Sequence, residues 1–207
     1  MTSGIEMRRI AEAFLFILTM TLPTASSLAD EPPAPASPDW GLVPLMADLH
    51  QIQSVTARFV EDKYLAALTR PLETAGALRY VAPSRIERIA TEPPGESVIV
   101  EGDSLTTSTS NGQSVTIALE EHPEIAALVE GFRSTLAGDL PTLRRYYTIE
   151  FSGARADWHL SLTPKNPTVR QRVDLIRISG TDATLKMVEV QEHDGDHSVM
   201  IVTPDAR

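Results

Sequence analysis

No cysteine occurs among the 207 residues of this chain. Its absence excludes disulfides, thiol nucleophiles, thiolate metal sites and iron–sulfur clusters, and leaves the core to stand on packing alone. It equally excludes a lipid-modified N-terminal cysteine, so the chain is not expected to be a lipoprotein itself. Positive charge is scarce: 18 Lys and Arg against 28 Asp and Glu give a formal charge of −10. Nucleic acid and anionic membrane surfaces both demand a basic patch, so neither is expected as a partner. Long apolar runs are missing too. The run from Ala13 to Leu22 is roughly ten residues, where a spanning helix needs about twenty. There is no phosphate-cradling glycine loop, no Gly-x-Ser-x-Gly elbow and no internal repeat, which argues against nucleotide-driven and nucleophilic chemistry.

What is present begins with a targeting pattern. Arg8 and Arg9 precede the apolar run, and Ser27-Leu28-Ala29 follows it with small residues at the positions a signal peptidase reads. Residues 1–29 are therefore expected to be a cleaved secretory signal peptide; a retained anchor is the alternative, and the short run argues against it. This segment holds two Arg and two Glu, so the whole −10 charge falls on residues 30–207. Residues 30–39, Asp-Glu-Pro-Pro-Ala-Pro-Ala-Ser-Pro-Asp, read as an extended, mobile leader. Residues 40–207 suit one domain with a sizeable core.

Within that domain the apolar period changes twice. Leu42, Leu45, Met46, Leu49 and Ile52 recur at helical spacing. Strands are expected over Ser54–Leu65, Leu72–Val81, Arg85–Thr91, Ser97–Glu101, Leu105–Ser108 and Gln113–Leu119. Glu92-Pro93-Pro94-Gly95 and Asn111-Gly112 mark turns between them. A helix opens at Pro123, carries Ile125, Leu128, Val129, Phe132 and Leu136, and ends at Gly138. Asp139 is placed to cap a short helix running to Tyr146. Strands return over Tyr147–Ser152, Asp157–Thr163, Val169–Ser179, Thr184–Glu192 and His197–Val202, with Asp194-Gly195 as the last hairpin. The expected fold is mainly β (α+β), a curved antiparallel sheet of about ten strands with helices on one face. Its concave side must be filled by helices or by a ligand.

Two clusters could carry chemistry. His193-Asp194-Gly195-Asp196-His197 offers imidazoles and carboxylates for a metal, but Asp-Gly between apolar strands is explained by turn geometry, so no metal site is expected. Glu120, Glu121, His122 and Glu124 precede a helix, whose N-terminus favours negative charge without any chemistry. Binding is expected in place of catalysis, with no cofactor.

The order of several short pieces resembles the LolA-type periplasmic carriers of outer-membrane lipoproteins, and within them a LolA-related branch associated with aryl-polyene gene clusters. The pieces are Val55-Thr56-Ala57-Arg58-Phe59, Gly76-Ala77-Leu78-Arg79-Tyr80 ahead of Pro83, Glu96-Ser97-Val98-Ile99-Val100 ahead of Gly102-Asp103, Trp158-His159-Leu160-Ser161-Leu162-Thr163-Pro164, and Asp194-Gly195. Together they span about Leu42 to Val202. The resemblance implies an incomplete β-barrel of which two or three helices cover the concave side as a lid. It makes residues 40–207 a LolA-like lipid-carrier domain in the periplasm that shelters acyl chains on their way toward the outer membrane. The implied partners are an acyl-chain lipid, lipoprotein or aryl-polyene-type cargo, an inner-membrane donor and an outer-membrane acceptor; a monomer is expected. A non-carrier scaffold or assembly factor in envelope or pigment-lipid biogenesis is the alternative.

By strand alternation the family's cavity maps onto Phe59, Leu78, Tyr80, Ile86, Val98, Val100, Leu105 and Ile117, with Leu128, Val129 and Phe132 from the lid. Ordinary core is the competing explanation for each. Two positions depart from the family pattern. Ala82 stands where the classical carriers place the arginine that holds the lid closed, and Thr106 follows Leu105 where they have tryptophan. Arg88 shares strand parity with Ile86 and is the candidate substitute latch, with Glu61 as its partner; a solvated surface charge is the plainer reading.

Overall fold

The computed structural model describes residues 40–91 and 95–205. The expected signal peptide, the proline-rich leader and Glu92-Pro93-Pro94 of the turn lie outside the described residues. Helix α1 (Leu42–His50) is followed by six strands: β1 (Ser54–Tyr64), β2 (Leu72–Val81), β3 (Arg85–Ala90), β4 (Ser97–Glu101), β5 (Ser104–Ser108) and β6 (Ser114–Ala118). A 3-10 turn (Leu119–Glu121) leads into helices α2 (Pro123–Leu136) and α3 (Leu140–Tyr146). Strands β7 (Tyr147–Ala154) and β8 (Asp157–Pro164), the short helix α4 (Pro167–Arg170) and strands β9 (Val173–Thr181), β10 (Thr184–Glu192) and β11 (His197–Pro204) complete the described chain.

The strands form one antiparallel sheet in the order β6-β5-β4-β3-β2-β1-β11-β10-β9-β8-β7. First and last strands meet at the centre, where Phe59 pairs with Val202 and Glu61 with Met200. β6 and β7, neighbours in sequence, therefore occupy opposite edges, and the sheet stays open. This arrangement dictates where the helices go. A flat sheet of this width would separate its edges by about 48 Å at ~4.8 Å per strand. α2 and α3, which connect the edges, measure only about 31 Å end to end at ~1.5 Å per residue. Strands β2–β4 and β9–β11 line one cavity together with α2, so the sheet curls and the connection crosses its concave side.

Local signals explain the helix ends. Asp139 caps α3 by accepting from the Thr142 amide at 3.0 Å. Gly138 ends α2 with φ +65°, and a Cβ there would lie 2.1 Å from the Met46 carbonyl oxygen, so α1 and the α2–α3 corner touch through backbone. One expected strand is corrected. Val169 belongs to α4, because Asn166 accepts from the Thr168 amide at 2.8 Å and Pro167 occupies the first turn; the strand starts only at Val173. The described residues hold eleven strands, as many as the separately expected spans, and four α-helices, at least one beyond expectation.

Burial splits the core in two. Leu45, Met46 and Leu49 of α1 and Leu140 and Leu143 of α3 pack with Trp158, Leu160, Leu162, Ile176 and Ile178 on the β8–β9 half. Val98, Val100 and Leu105 pack with Leu119, Ile125 and Val129 on the β4–β5 half. Helix α2 spans both, its Leu128 and Phe132 facing the first cluster while Ile125 and Val129 belong to the second. Between the clusters, the central strands face α2 across open space.

Candidate functional site

That space is a cavity of about 1530 Å³. It exceeds the ~300–1,000 Å³ of an ordinary small-molecule pocket. Its roof is α2, through Ile125, Leu128, Val129, Phe132 and Leu136, with Leu49 of α1 beside it. One wall comes from the first half of the sheet: Leu78 and Tyr80 of β2, Ile86 and Arg88 of β3, and Val98 and Val100 of β4. The opposite wall is Ile176 and Ile178 of β9, Val188 and Val190 of β10, and Met200 and Val202 of β11. Alternation makes this wall: each of these strands points every second residue inward.

Eight of the eleven residues expected to line the cavity do so: Leu78, Tyr80, Ile86, Val98, Val100, Leu128, Val129 and Phe132. Phe59, Leu105 and Ile117 are corrected to positions off the lining. Phe59 is buried beneath the Arg88 guanidinium, 4.6 Å from its ring centroid. Leu105 is fully buried in the β4–β5 cluster and Ile117 packs against that cluster, where Leu119, Ile125 and Val129 cover the sheet. The β9–β11 wall was missed, although its alternating Ile176, Ile178, Val188 and Met200 were as visible as the rest.

The floor is not apolar. On β1 the inward row reads Ala57, Phe59, Glu61, Lys63, all buried, while Val60 between them is 46% exposed on the outer face. Glu61 accepts from Arg88 Nη2 at 2.5 Å, the pairing expected from strand parity. The two residues sit on β1 and β3 with β2 between them, and Arg88's ring contact is also on β1. The pair ties β1 to β3 within the sheet. Lys63 pairs with Glu192 of β10 across β11 at 3.0 Å, with both side chains under a tenth exposed. Burial holds the Lys63 ammonium below its ordinary pKa and raises the Glu192 carboxyl to about 7, against the opposing attraction between the two. For both groups desolvation outweighs the partner, as expected for ions taken out of water.

Glu192, Asp194 and Asp196 bring carboxylate oxygens within 4.8 Å of one another, the one such group among the described residues. Each has another partner: Glu192 pairs with Lys63, Asp194 accepts from the Asp196 amide, and Asp196 accepts from the Ala66 amide. The histidines turn elsewhere, His193 to Asp174 at 2.9 Å and His197 onto the Tyr64 ring at 4.5 Å. The segment is a hairpin with its polar groups satisfied locally.

Residues 33–207 match the family model of outer membrane lipoprotein carrier protein LolA-like proteins. The chain belongs to this family. Its open sheet of eleven strands with helices over the concave side is a LolA-like fold. Among solved structures, a LolA superfamily protein from Nitrosomonas europaea is similar at 11% identity and TM-score 0.43, covering 78% of this chain and 90% of that one. A DUF1329 family protein from Desulfovibrio piger is similar at 9% identity and TM-score 0.43, covering 78% and 88%. A domain described as an outer membrane lipoprotein-sorting protein, from Vibrio parahaemolyticus, is similar at 8% identity and TM-score 0.42, covering 78% and 89%. No curated protein matches the chain significantly. In the LolA-like frame the cavity lies between roof helix and central strands. No helix among the described residues is long and apolar enough to cross a membrane.

Proposed function

We propose that this LolA-like protein is a periplasmic carrier that reversibly holds a hydrophobic acyl-type cargo, a lipoprotein or an aryl-polyene-type lipid, for transfer toward the outer membrane. The observation that carries the reading is the 1530 Å³ cavity, roofed by α2 and walled mainly by aliphatic side chains, in a chain of the carrier family. Each methylene removed from water gains about 0.8 kcal/mol, so ten buried methylenes are worth about 8 kcal/mol before the costs of ordering. Micromolar binding corresponds to a similar figure, strong enough for transit and weak enough for handover. The carrier acts by binding and release, without a covalent step or cofactor; residues 1–29 direct export and residues 40–207 form the carrier domain. Donor and acceptor are proteins of the inner and outer membranes.

Native mass spectrometry of the protein purified from the periplasm, with lipid extraction, tests this reading. The expected result is a co-purifying acyl or polyene lipid near one equivalent. A protein that carries none, and that takes up neither added lipid nor a hydrophobic fluorescent probe, would overturn it in favour of a scaffold.

A further inference from the structure

Two polar hydrogens on the cavity wall have no acceptor. Arg88 and Tyr80 are buried to 9% and 3% exposure, and both line the cavity. Arg88 Nε and the Tyr80 hydroxyl are each sealed from solvent and each without a hydrogen-bond partner. They sit on adjacent strands and on the same face: Leu78 pairs with Arg88 and Tyr80 with Ile86, so Tyr80 and Arg88 are diagonal neighbours. Diagonal cross-strand pairs are about 7–8 Å apart at the backbone, within reach of long side chains converging on one atom. Buried donors left unpaired are uncommon and destabilising. An acceptor supplied by the cargo accounts for both.

The surrounding charge selects the kind of acceptor. The positive charge of Arg88 is already matched by Glu61 at 2.5 Å, and the next pair along the floor is Lys63 with Glu192. Asp194 and Asp196 also line the cavity. An anionic head group would add an unbalanced negative charge to a low-dielectric site that is acidic at one end. An uncharged carbonyl oxygen has two lone pairs, takes both donors and adds no charge. Burial pushes the Tyr80 phenol up from its ordinary pKa, which keeps it a donor.

Resting on the carrier reading, we propose that Tyr80 and Arg88 together form a carbonyl-recognition point, which seats the ester or amide carbonyl where the cargo's acyl chain joins its head. The chain then runs beneath α2 across Leu128 and Phe132. Both donors are covered by neighbouring atoms, so the entering chain spreads the wall to reach them. Their unmet hydrogen bonds are relieved only by a cargo with an acceptor at that position. The cavity thereby discriminates acyl lipids from hydrocarbons of equal length.

The test compares a diacylglycerol with its dialkyl-ether analogue of the same chain length, which keeps the apolar body and removes the carbonyls. The full mature chain is expected to bind the ester about tenfold more tightly, the worth of one or two such hydrogen bonds. Tyr80→Phe keeps the ring and deletes an unpartnered hydroxyl. Its melting temperature should be equal to or above that of the native protein, its ester affinity reduced about fivefold and its ether affinity unchanged. A double variant, Arg88→Met with Glu61→Leu, removes the ion pair without stranding a buried charge and should abolish the remaining preference. Equal binding of ester and ether by the native protein would overturn the inference while the carrier reading stands. An ester preference untouched by Tyr80→Phe and by the double variant would also overturn it. Binding of neither lipid would overturn this inference, and the carrier reading with it only if no lipid co-purifies and the hydrophobic probe is also refused.

Discussion

Burying Lys63 against Glu192 strips both of hydration, and the ion pair they form repays that loss only in part. The consequence is a pH dependence with a definite sign. Glu192 has a folded pKa of about 7 against an ordinary value of 4.5, so the folded state holds its proton more tightly than the unfolded state. Its contribution to stability is fully present below about 4.5 and is lost as pH rises through about 7. Glu192→Gln carries no such proton. Its melting temperature should therefore decline less than that of the native protein between those two pH values, as read by circular dichroism melts in matched ionic strength. Parallel curves for the two proteins would show that Glu192 titrates at its ordinary value. The same strand marks where sequence reasoning by polarity fails: Glu61 and Lys63 are inward and buried, while the neighbouring Val60 is outward. Alternation was legible, but which parity faced inward was decided at Phe59 alone. A charged pair turned into a hydrophobic face is the kind of local inconsistency that accompanies a binding site.

Among elements, α2 has the most demanding position, because it joins two core clusters that do not otherwise meet. Its fit to β7 is set by a small residue. A Cβ on Gly131 would stand 2.8 Å from the Tyr147 hydroxyl and 3.0 Å from its ring. That hydroxyl is fixed by donating to the Ala127 carbonyl at 2.8 Å, one turn earlier on the same helix. Alanine at an open helical site would gain about 0.5–1 kcal/mol over glycine. Here overpacking should reverse the sign, and Gly131→Ala is expected to destabilise by about 1–3 kcal/mol in urea unfolding. In a Tyr147→Phe background the loss should shrink, since the nearest of the three crowding atoms is gone; strictly additive effects would place the strain elsewhere. Helix α2 itself was readable from Pro123, the apolar spacing and Gly138. The α4 turn was not, because four residues are too few for a period and only Asn166-Pro167 announced it.

For the molecule as a whole, stability and cargo are linked. Anything that binds the folded cavity and not the unfolded chain raises stability by mass action, about 2.7 kcal/mol at a hundredfold excess over the dissociation constant. Leu128→Trp puts a large side chain into the roof from a position at the cavity rim of α2. Its melting temperature without lipid should stay near the native value, while the lipid-induced rise should fall by more than half in differential scanning calorimetry. An undiminished rise would place the cargo outside this cavity. Such a cavity survives in the empty protein because its walls rest on separate packed clusters, so the centre need not collapse to satisfy either.

The sequence by itself determined the absence of thiol chemistry, the acidic charge, most strand and helix positions, and the family. The first three follow from composition and from periods of two and 3.6 residues, which are local quantities; the family resemblance rests on the order of short sequence pieces. Only the tertiary structure decided that β1 meets β11, that α2 bridges two cores, and that Lys63 reaches Glu192, 129 positions away along the chain. Strand order is a matter of long-range pairing, which leaves no mark on any short window of sequence. The cavity is a consequence of that order: β6 and β7 lie at opposite edges, and the chain between them had to cross the concave face.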